Sequence, residues 1–243
     1  MTEALDHLEI GIFLDPNCFV PDIIGVYTAF CDAPNCDIYF IWKNKDFWGN
    51  RKSSAPGLHS FPMYATTTFA ECPQALNVLC VGASTTADIL TDEESLAFLA
   101  DRGNRAKYII GICSGSLTLA AAGLLTGYRA TTNFQAIDAL ASFGATPVAG
   151  GHVVVDRNRF TAGPVAGSFD AGLMVLAKLR GEEAAKEAEL AMEYAPHPPF
   201  GTGSPELAGP ELTQKLRQRY EPFSNKFREA VRKAVERLMV AKT

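Results

Sequence analysis

The chain has 243 residues and a formal net charge of −5, with 47% hydrophobic and 20% charged residues. A chain of this length and composition can bury the core of one large globular domain. Its acidic pI of about 5.4 argues against a nucleic-acid partner, which needs a surface of clustered lysine and arginine. No apolar run approaches the roughly 20 residues that cross a bilayer, so no membrane partner is expected.

The N-terminal segment and the cysteines indicate the expected compartment. The first seven residues include acidic side chains and lack the basic and then apolar pattern of a secretion signal, so a cytoplasmic location is expected. Six cysteines occur at positions 18, 31, 36, 72, 80 and 113, without a C-x-x-C pair. The four histidines, at positions 7, 59, 152 and 197, lack ligand spacing. We therefore expect reduced thiols, structural or surface histidines and no metal site.

Short apolar runs alternate with helical patterns along the chain. Strands are predicted over 8–14, 36–42, 76–81, 108–112, 146–148, 152–156 and 160–163, with a short hairpin or edge segment over 57–64 and 66–69. Helices are predicted over 21–30, 87–105, 117–125, 136–143, 168–180, 182–193 and 211–240. This alternation predicts an α/β fold in which helices cover both faces of a mostly parallel sheet.

The C-terminal part of the chain differs from the rest in composition. A loop rich in proline and glycine over 194–210 precedes the last predicted helix. We expect an α/β domain over 1–204 and a helical extension over 205–243, packed on the same domain or on a dimer partner. The basic residues of the last helix are interpreted as a solvated face or an oligomer contact, in preference to a nucleic-acid site.

The corner between the strand at 108–112 and the following helix is the most informative stretch. It reads Gly111-x-Cys113-x-Gly115, the cysteine form of the nucleophile-elbow spacing. Glycine suits both flanks, because a strand that turns sharply into a helix leaves little room for a Cβ atom. Cys113 then projects at the start of the helix, where the helix dipole favours a thiolate. A nucleophile is the favoured interpretation, and a small buried core thiol is the alternative.

A carboxylate follows the first predicted strand. Pro21 suits the first position of a helix, and Asp22 lies in the first turn, where negative charge is stabilised. The same position is at the mouth of an open parallel sheet, beyond the carboxyl end of a strand. Asp22 is therefore either a helix-start residue or an acid in a site. The small-residue loop at 82–86 follows another strand and can offer backbone N–H groups to an anion.

The block that begins Ile112-Cys113-Ser114-Gly115 and continues to Arg129-Ala130-Thr131-Thr132 resembles the ThiJ/PfpI superfamily, part of the class I glutamine amidotransferase-like fold. Within the superfamily, the segments at 21–25, 41–43, 65–69 and 193–205 are most similar to the isonitrile hydratase (isocyanide hydratase) subfamily. The resemblance implies a flavodoxin-like three-layer sandwich, a homodimer, a small-molecule substrate and no metal or organic cofactor.

Residue by residue, the resemblance implies a site. The family nucleophile falls on Cys113, the neighbouring hydroxyl residue on Ser114 and the acidic partner on Asp22. The Gly-Gly loop of the family falls on Gly82-Ala83, whose backbone N–H groups would help to bind a developing anion. The implied reaction is hydration of an isonitrile to an N-substituted formamide through a cysteine thioimidate. Asp22 would move the proton, which requires contact with the thiol and a pKa raised above roughly 4.

Three departures from the family pattern leave the activity open. Ser114 replaces threonine, Ala83 replaces glycine, and Asn133-Phe134 replace His-Trp. Alanine resists positive φ, so a reshaped anion pocket is expected, and the change at Asn133 is expected to alter the pocket wall or the substrate range. One alternative is a glyoxalase-like or deglycase-like enzyme on 2-oxoaldehydes, whose relatives usually carry glutamate at Asp22 and histidine after the cysteine. Another is a non-catalytic member that senses redox state or binds a ligand.

Overall fold

A seven-stranded sheet forms the centre of the computed structural model, which describes residues 5–48, 61–150 and 152–240. The strands of the chain are β1 (Leu8–Phe13), β2 (Cys36–Trp42), β3 (Thr67–Thr68), β4 (Val78–Val81), β5 (Tyr108–Ile112), β6 (Arg129–Ala130), β7 (Thr146–Pro147), β8 (Val154–Asp156) and β9 (Arg159–Ala162). The central sheet has the order β3-β2-β1-β4-β5-β9-β8 and is parallel except at β8, whereas β6 and β7 form a separate parallel pair. The predicted mostly parallel sheet is confirmed.

Helices cover the sheet on both faces. They are α1 (Pro21–Phe30), α2 (Glu93–Arg105), α3 (Gly115–Ala121), α4 (Ala139–Ser142), α5 (Ala166–Arg180), α6 (Glu182–Ala191) and α7 (Pro205–Val240), with a 3₁₀ turn at Asp88–Thr91. Helices α1, α5 and α6 pack against one another on one face, and α2, α3, α4 and α7 form the other layer. The flavodoxin-like three-layer α/β fold is confirmed. Among the described residues, none of the helices combines the length and the apolar composition that a membrane span requires.

The order of the strands positions the candidate site. β1 lies between β2 and β4, so the chain leaves β1 toward one side of the sheet and later returns to the other. In open α/β sheets such a switch point creates a crevice beyond the carboxyl ends of the strands. The start of α1, the loop 82–86 and Cys113 follow β1, β4 and β5 respectively. The fold therefore brings these three segments to one edge of the sheet.

Helix α3 is shorter than predicted. It ends at Ala121, whereas the sequence pattern predicted helix to 125 and closure at Gly127. Gly123 takes a φ of 80°, and its N–H donates to the Ala120 carbonyl at 2.9 Å. The N–H of Leu124 donates to the Leu119 carbonyl at 3.0 Å, which completes a Schellman motif. The helix therefore stops at the first glycine that can adopt left-handed backbone geometry.

The last helix begins earlier than predicted. α7 starts at Pro205, six positions before the expected residue 211. The Ser204 hydroxyl accepts the N–H of Leu207 at 3.3 Å, and proline suits the first helical position because it lacks an N–H. Gly209, with a φ of 76°, interrupts the helix after one turn. Ser204 and Pro205 therefore start a helix within the segment 194–210, which was predicted to be a loop from its proline and glycine content.

Helix α7 lies across α3, α4 and the 3₁₀ turn of the same chain. Its inner face buries Phe227, Val231 and Ala234. The Arg237 guanidinium donates to the Ala121 carbonyl at 2.5 Å, where the last carbonyls of α3 favour a cation. The basic run of this helix is therefore partly used in packing within the chain.

The predicted hairpin is described only in part. Residues 57–60 lie outside the described part of the chain. Met63 pairs antiparallel with Trp48, and β3 forms the edge of the sheet beside β2. The expected edge segment is therefore present at Thr67–Thr68.

Candidate active site

Cys113 lies in the turn between β5 and α3. Its φ is 54°, a left-handed conformation that is uncommon for a residue with a side chain. Its N–H donates to the Ala162 carbonyl at 2.9 Å, and its carbonyl accepts the Thr132 hydroxyl at 2.5 Å. Such strain persists only where the surrounding structure holds the residue in place, and it is common at functional sites.

The glycines on either side of Cys113 allow the close packing of this turn. A Cβ atom at Gly111 would lie 2.8 Å from the Leu119 Cδ1 atom. A Cβ atom at Gly115 would lie 2.1 Å from the Val81 carbonyl oxygen, a backbone atom that cannot rotate away. The steric reason that the sequence predicts for both glycines is confirmed, and the requirement is stronger at Gly115.

Asp22 is completely buried at the start of α1, although it carries a carboxyl group. Its Oδ1 accepts the N–H of Val165 at 2.8 Å, and its Oδ2 accepts the N–H of Ala83 at 3.3 Å. A Cβ atom at Gly82 would lie 2.7 Å from the Ile23 Cγ2 atom, so glycine lets the loop approach α1. Two loops from different strands therefore fix the orientation of this carboxyl.

Val165 positions one of these donors by adopting a strained backbone. Its φ of 57° and ψ of −88° are unfavourable for a β-branched residue. The Ser168 hydroxyl donates to the Val165 carbonyl at 2.7 Å and accepts the N–H of Gly25 at 3.2 Å. These bonds join the start of α5 to α1. Val165 was missed by the sequence analysis because no local pattern marks a valine as a residue of the site.

The Asp22 carboxyl and the Cys113 thiol form a side-chain hydrogen bond. Burial raises the pKa of Asp22 to about 6, against the opposing effect of the Val165 and Ala83 N–H groups. Burial, and then the negative charge of Asp22, raise the pKa of the Cys113 thiol well above its ordinary value. Two adjacent groups that both resist ionisation share one proton near neutral pH.

The expectation that the Cys113 thiol loses its proton more easily is therefore wrong, because the pKa of this thiol is raised. The dipole of α3 was expected to lower the pKa of the thiol, but desolvation has the larger effect. Helix α3 has only seven residues, which limits its dipole. The pKa of Asp22, raised by burial to about 6, meets the condition that its role as an acid requires.

Two further groups donate hydrogen bonds to the Cys113 sulfur and oppose the increase in its pKa. They are the backbone N–H of Ser114 and the side-chain amide of Asn133. The Oδ1 of Asn133 accepts the N–H of Gln135 at 3.1 Å, so the amide nitrogen is the atom left for the sulfur. Asn133 was expected to alter the pocket wall or the substrate range, and its contact with the sulfur, which bridges separate loops, was not predicted.

The loop Gly82-Ala83 has no left-handed backbone conformation. Neither residue has a positive φ, so alanine causes no backbone strain at this position. The N–H of Ala83 is used to bind the Asp22 carboxylate. This N–H therefore holds the acid of the pair, and the expected reshaping of the anion pocket stays a prediction.

A cavity of about 890 Å³ opens beside Cys113 and Ser114. Ligand sites in proteins usually occupy roughly 300 to 1,000 Å³. Apolar side chains from α7 and from earlier segments of the chain line this cavity: Phe19, Leu117, Phe134, Tyr220, Phe223, Phe227 and Val231. The last four belong to α7, so the C-terminal helix forms one wall of the site. The sequence analysis did not predict this role for α7.

One surface group could present ligand atoms to a metal ion. Single ligand atoms of His7, Glu9 and Asp37 lie within 4.8 Å of one another. The His7 ring also contacts Asn35 at 2.9 Å and Asp37 at 3.2 Å, as expected of ordinary surface hydrogen bonds and ion pairs. His7 precedes β1, and Glu9 and Asp37 are the second residues of β1 and β2, whereas Cys113 follows the end of β5. The group therefore lies at the opposite edge of the parallel sheet from Cys113. We assign no metal to it.

Comparisons with known proteins agree with this geometry. Residues 35–178 match the DJ-1/PfpI family. The chain is 37% identical to an isonitrile hydratase from Pseudomonas putida over 216 residues, which cover 88% of this chain and 91% of that protein.

Solved structures show the same relationship. The chain resembles a THiJ/PfpI family protein from Pseudomonas syringae with a TM-score of 0.85 and 37% identity, covering 93% of this chain and 91% of that one. DJ-1beta from Drosophila melanogaster has a TM-score of 0.62 at 15% identity, covering 79% of this chain and 100% of that one, and shows the fold alone. The chain therefore belongs to the DJ-1/PfpI family.

Proposed function

We propose that this protein hydrates an isonitrile to an N-substituted formamide. The observation that supports this function best is the hydrogen bond between the buried Asp22 carboxyl and the Cys113 thiol. The sulfur lines a cavity with many apolar side chains, which suits the organic group that an isonitrile carries on its nitrogen. The similarity to an isonitrile hydratase from Pseudomonas putida over most of the chain supports the same reaction.

The first step adds the thiol across the terminal carbon of R–N≡C. Asp22, ionised above its pKa of about 6, accepts the thiol proton as the sulfur attacks. The carbon forms a bond to sulfur and receives the proton from Asp22. The product is the thioimidate R–N=CH–S–Cys113, and Asp22 is again a carboxylate. Cys113 and Asp22 are therefore never both negatively charged during this step, which avoids placing two anions side by side in a poorly solvated site.

The second step adds water to the same carbon. Asp22 accepts a proton from the water as the oxygen attacks the thioimidate carbon, and it then passes this proton to the nitrogen. Collapse of the resulting R–NH–CH(OH)–S adduct breaks the carbon–sulfur bond and releases R–NH–CHO. The hydroxyl proton returns through Asp22 to the sulfur. One carboxyl thus serves as base and acid in turn.

The surrounding donors have distinct roles in this proposal. The Ser114 N–H and the Asn133 amide stabilise the negative charge that develops on sulfur when its proton leaves. The Ala83 and Val165 N–H groups orient the Asp22 carboxyl toward the sulfur. In this proposal the Gly82-Ala83 loop faces the substrate, because Ala83 and the following residue Ser84 line the cavity.

The alternatives fit the site less well. Glyoxalase-like relatives are expected to have a glutamate and a histidine where this chain has Asp22 and Ser114. A redox sensor benefits from a thiolate, because the thiolate is the form that peroxide oxidises. Burial raises the pKa of the Cys113 thiol, which disfavours this role at neutral pH.

Steady-state hydration of an aryl isonitrile tests the proposal. We expect formamide production by the wild-type protein and a loss of at least about 100-fold in Cys113→Ala and Asp22→Asn, a magnitude typical of a lost nucleophile or general base. Cys31→Ala, which alters an exposed thiol outside the cavity, is the matched control and should retain full activity. Undiminished turnover in either site variant removes that residue from the mechanism, and lactate formation from methylglyoxal favours the glyoxalase alternative.

Three further features stay predictions of the sequence. These are the homodimer, the cytoplasmic location and the division into an α/β domain over 1–204 and a helical extension over 205–243. The packing of α7 on α3 and α4 is compatible with the first of the two positions expected for the extension.

A further inference from the structure

The cavity beside Cys113 is much larger than the reacting group of an isonitrile, which is only two atoms long. Its volume of about 890 Å³ lies near the upper end of the usual range for ligand sites. Most of the space must therefore receive the group attached to the isonitrile nitrogen. The side chains that line this space define the class of substrate.

Helix α7 contributes an apolar face to the cavity. Tyr220, Phe223, Phe227 and Val231 recur at helical spacing along the helix and line the cavity together. The Phe223 and Phe227 rings are 4.8 Å apart. Phe134 and Leu117 line the cavity from the α/β domain. Such a lining favours a large apolar group over a sugar or another strongly hydrated substrate.

Arginine side chains accompany this apolar face. Arg217, Arg228 and Arg232 line the cavity, as do the carboxylates of Asp138 and Glu236, so the formal charge of these five groups is +1. Arg232 is paired with Glu236 at 2.7 Å. No ion pair within the described residues includes Arg217 or Arg228.

Arg217 is the arginine best placed to receive an anionic group. Its guanidinium carbon lies 5.8 Å from the centre of the Phe134 ring. Phe134 directly follows Asn133, the residue whose amide contacts the Cys113 sulfur. Arg228, in contrast, donates to the Asn225 side chain. Arg217 therefore lies beside the residue that follows Asn133 in the chain, and no described acidic side chain forms an ion pair with its guanidinium.

We propose that α7 is the recognition element of the site and that it selects substrates with a large apolar arm ending in a carboxylate. This inference rests on the proposed function for the identity of the reacting group. The aromatic face of α7 receives the arm, and Arg217 binds the carboxylate. A guanidinium suits this role because its N–H groups match the two oxygens of a carboxylate.

A binding experiment tests the recognition without requiring turnover. The ligands are para-formamidobenzoate and its uncharged methyl ester, and the readout is protection of Cys113 from alkylation by iodoacetamide, followed by mass spectrometry. We expect the carboxylate to bind about fivefold more tightly than the ester, as expected for one solvent-accessible ion pair. Arg217→Gln should abolish this preference. Arg219→Gln, an exposed arginine of α7 outside the cavity lining, should keep it.

The apolar arm is tested in the same assay with biphenyl analogues of both ligands. Phe223→Ala should weaken binding of the biphenyl ligands by a larger factor than binding of the phenyl ligands, because it shortens the aromatic face. Equal protection by carboxylate and ester, or equal losses in Arg217→Gln and Arg219→Gln, would overturn the recognition by Arg217. An unchanged biphenyl preference in Phe223→Ala would overturn the role of the aromatic face.

Turnover separates this inference from the proposed function. Hydration of para-isocyanobenzoate and of its methyl ester is measured with the same variants. If neither isonitrile is hydrated but the carboxylate still protects Cys113 better, the reaction is wrong and the recognition stands. If both are hydrated with equal kcat/KM and protection is equal, the reaction stands and the recognition by Arg217 is wrong.

Discussion

The Asp22 carboxyl and the Cys113 thiol are hydrogen-bond partners although they follow different strands of the sheet. The carboxyl is buried and held by two backbone N–H groups, whereas the sulfur lies at the edge of a cavity. This relationship creates a nucleophile that remains a thiol until a neighbouring base accepts its proton. Most of the predictions below depend on it.

The pH dependence of hydration should follow the ionisation of Asp22. The carboxyl must be ionised to accept the thiol proton, and its pKa is raised to about 6 by burial. We therefore expect kcat/KM to rise as the pH increases through about 6. The residual activity of Asp22→Asn should not show this increase. An increase with the same pKa in the variant would assign the titration to another group.

The stability of Asp22→Asn should depend on pH in a defined direction. The carboxyl has a pKa of about 6 in the folded protein against 3.8 as a model value, so the folded state binds its proton more tightly. Its contribution to stability is complete below about pH 4 and is lost as the pH rises through about 6. Asparagine has no ionisable side chain, so its contribution to stability does not change over this pH range.

We therefore expect Asp22→Asn to gain stability relative to the wild type by about 2 to 3 kcal/mol more at about pH 8 than at about pH 4. Urea unfolding at both pH values measures this difference, in which constant losses, such as a weakened bond from the Ala83 N–H, cancel. A difference that does not change with pH would show that the carboxyl is not protonated preferentially in the folded state.

Asn133 should control the ionisation of the thiol. Its amide donates to the sulfur, so Asn133→Asp replaces a donor by a negative charge and should raise the pKa of Cys113 further. We expect the pH at which alkylation by iodoacetamide accelerates to increase, and kcat to fall about tenfold or more. Asn44→Asp, in an exposed loop, is the matched control. Equal alkylation profiles in both variants would mean that the amide does not act on the sulfur.

Val165→Gly should stabilise the protein. Glycine adopts a φ of 57° without the strain of a β-branched side chain, and the N–H that binds Asp22 is retained. Relief of about 1 to 3 kcal/mol exceeds the entropic cost of glycine, about 0.5 to 1 kcal/mol, so a net gain of about 1 kcal/mol is expected. Val155→Gly, in the strand β8, should instead destabilise by about 1 kcal/mol. Losses in both variants would show that Val165 is not strained.

Gly115→Ala should be among the most damaging small substitutions in the chain. Its Cβ would lie 2.1 Å from the Val81 carbonyl oxygen, and neither backbone can yield without moving β4 or the turn at Cys113. We expect a loss of about 3 kcal/mol or more in the free energy of unfolding, measured by urea titration. Gly203→Ala, where no atom lies within 4 Å of the added Cβ, should have little effect.

The local sequence pattern was sufficient to predict the strand and the helix on either side of Cys113. The apolar run at 108–112, the small-residue corner and the following helix are encoded over a few neighbouring residues, because strand and helix periods act locally. Both elbow glycines were assigned for the steric reason that the structure confirms. The Gly123 terminus and the Ser204-Pro205 start were also local signals, although the sequence analysis misplaced both boundaries.

The resemblance added what periodicity could not supply. Pairing Asp22 with Cys113 required knowledge of which strand ends are neighbours, and this follows from the order of strands in the sheet. The contacts of Asn133 and Val165 were missed because they join loops after β6 and β9 to residues far away in the chain. The cavity wall formed by α7 is likewise a contact between distant segments.

The sequence by itself determined where the strands and helices form and which thiol stands in a tight turn, because those properties depend on neighbouring residues. Only the tertiary structure decided how that thiol ionises. Desolvation and the charge of Asp22 act through space, and together they outweigh the short helix that the sequence analysis expected to dominate. The chemistry of Cys113 is therefore set by the residues that the fold packs around it.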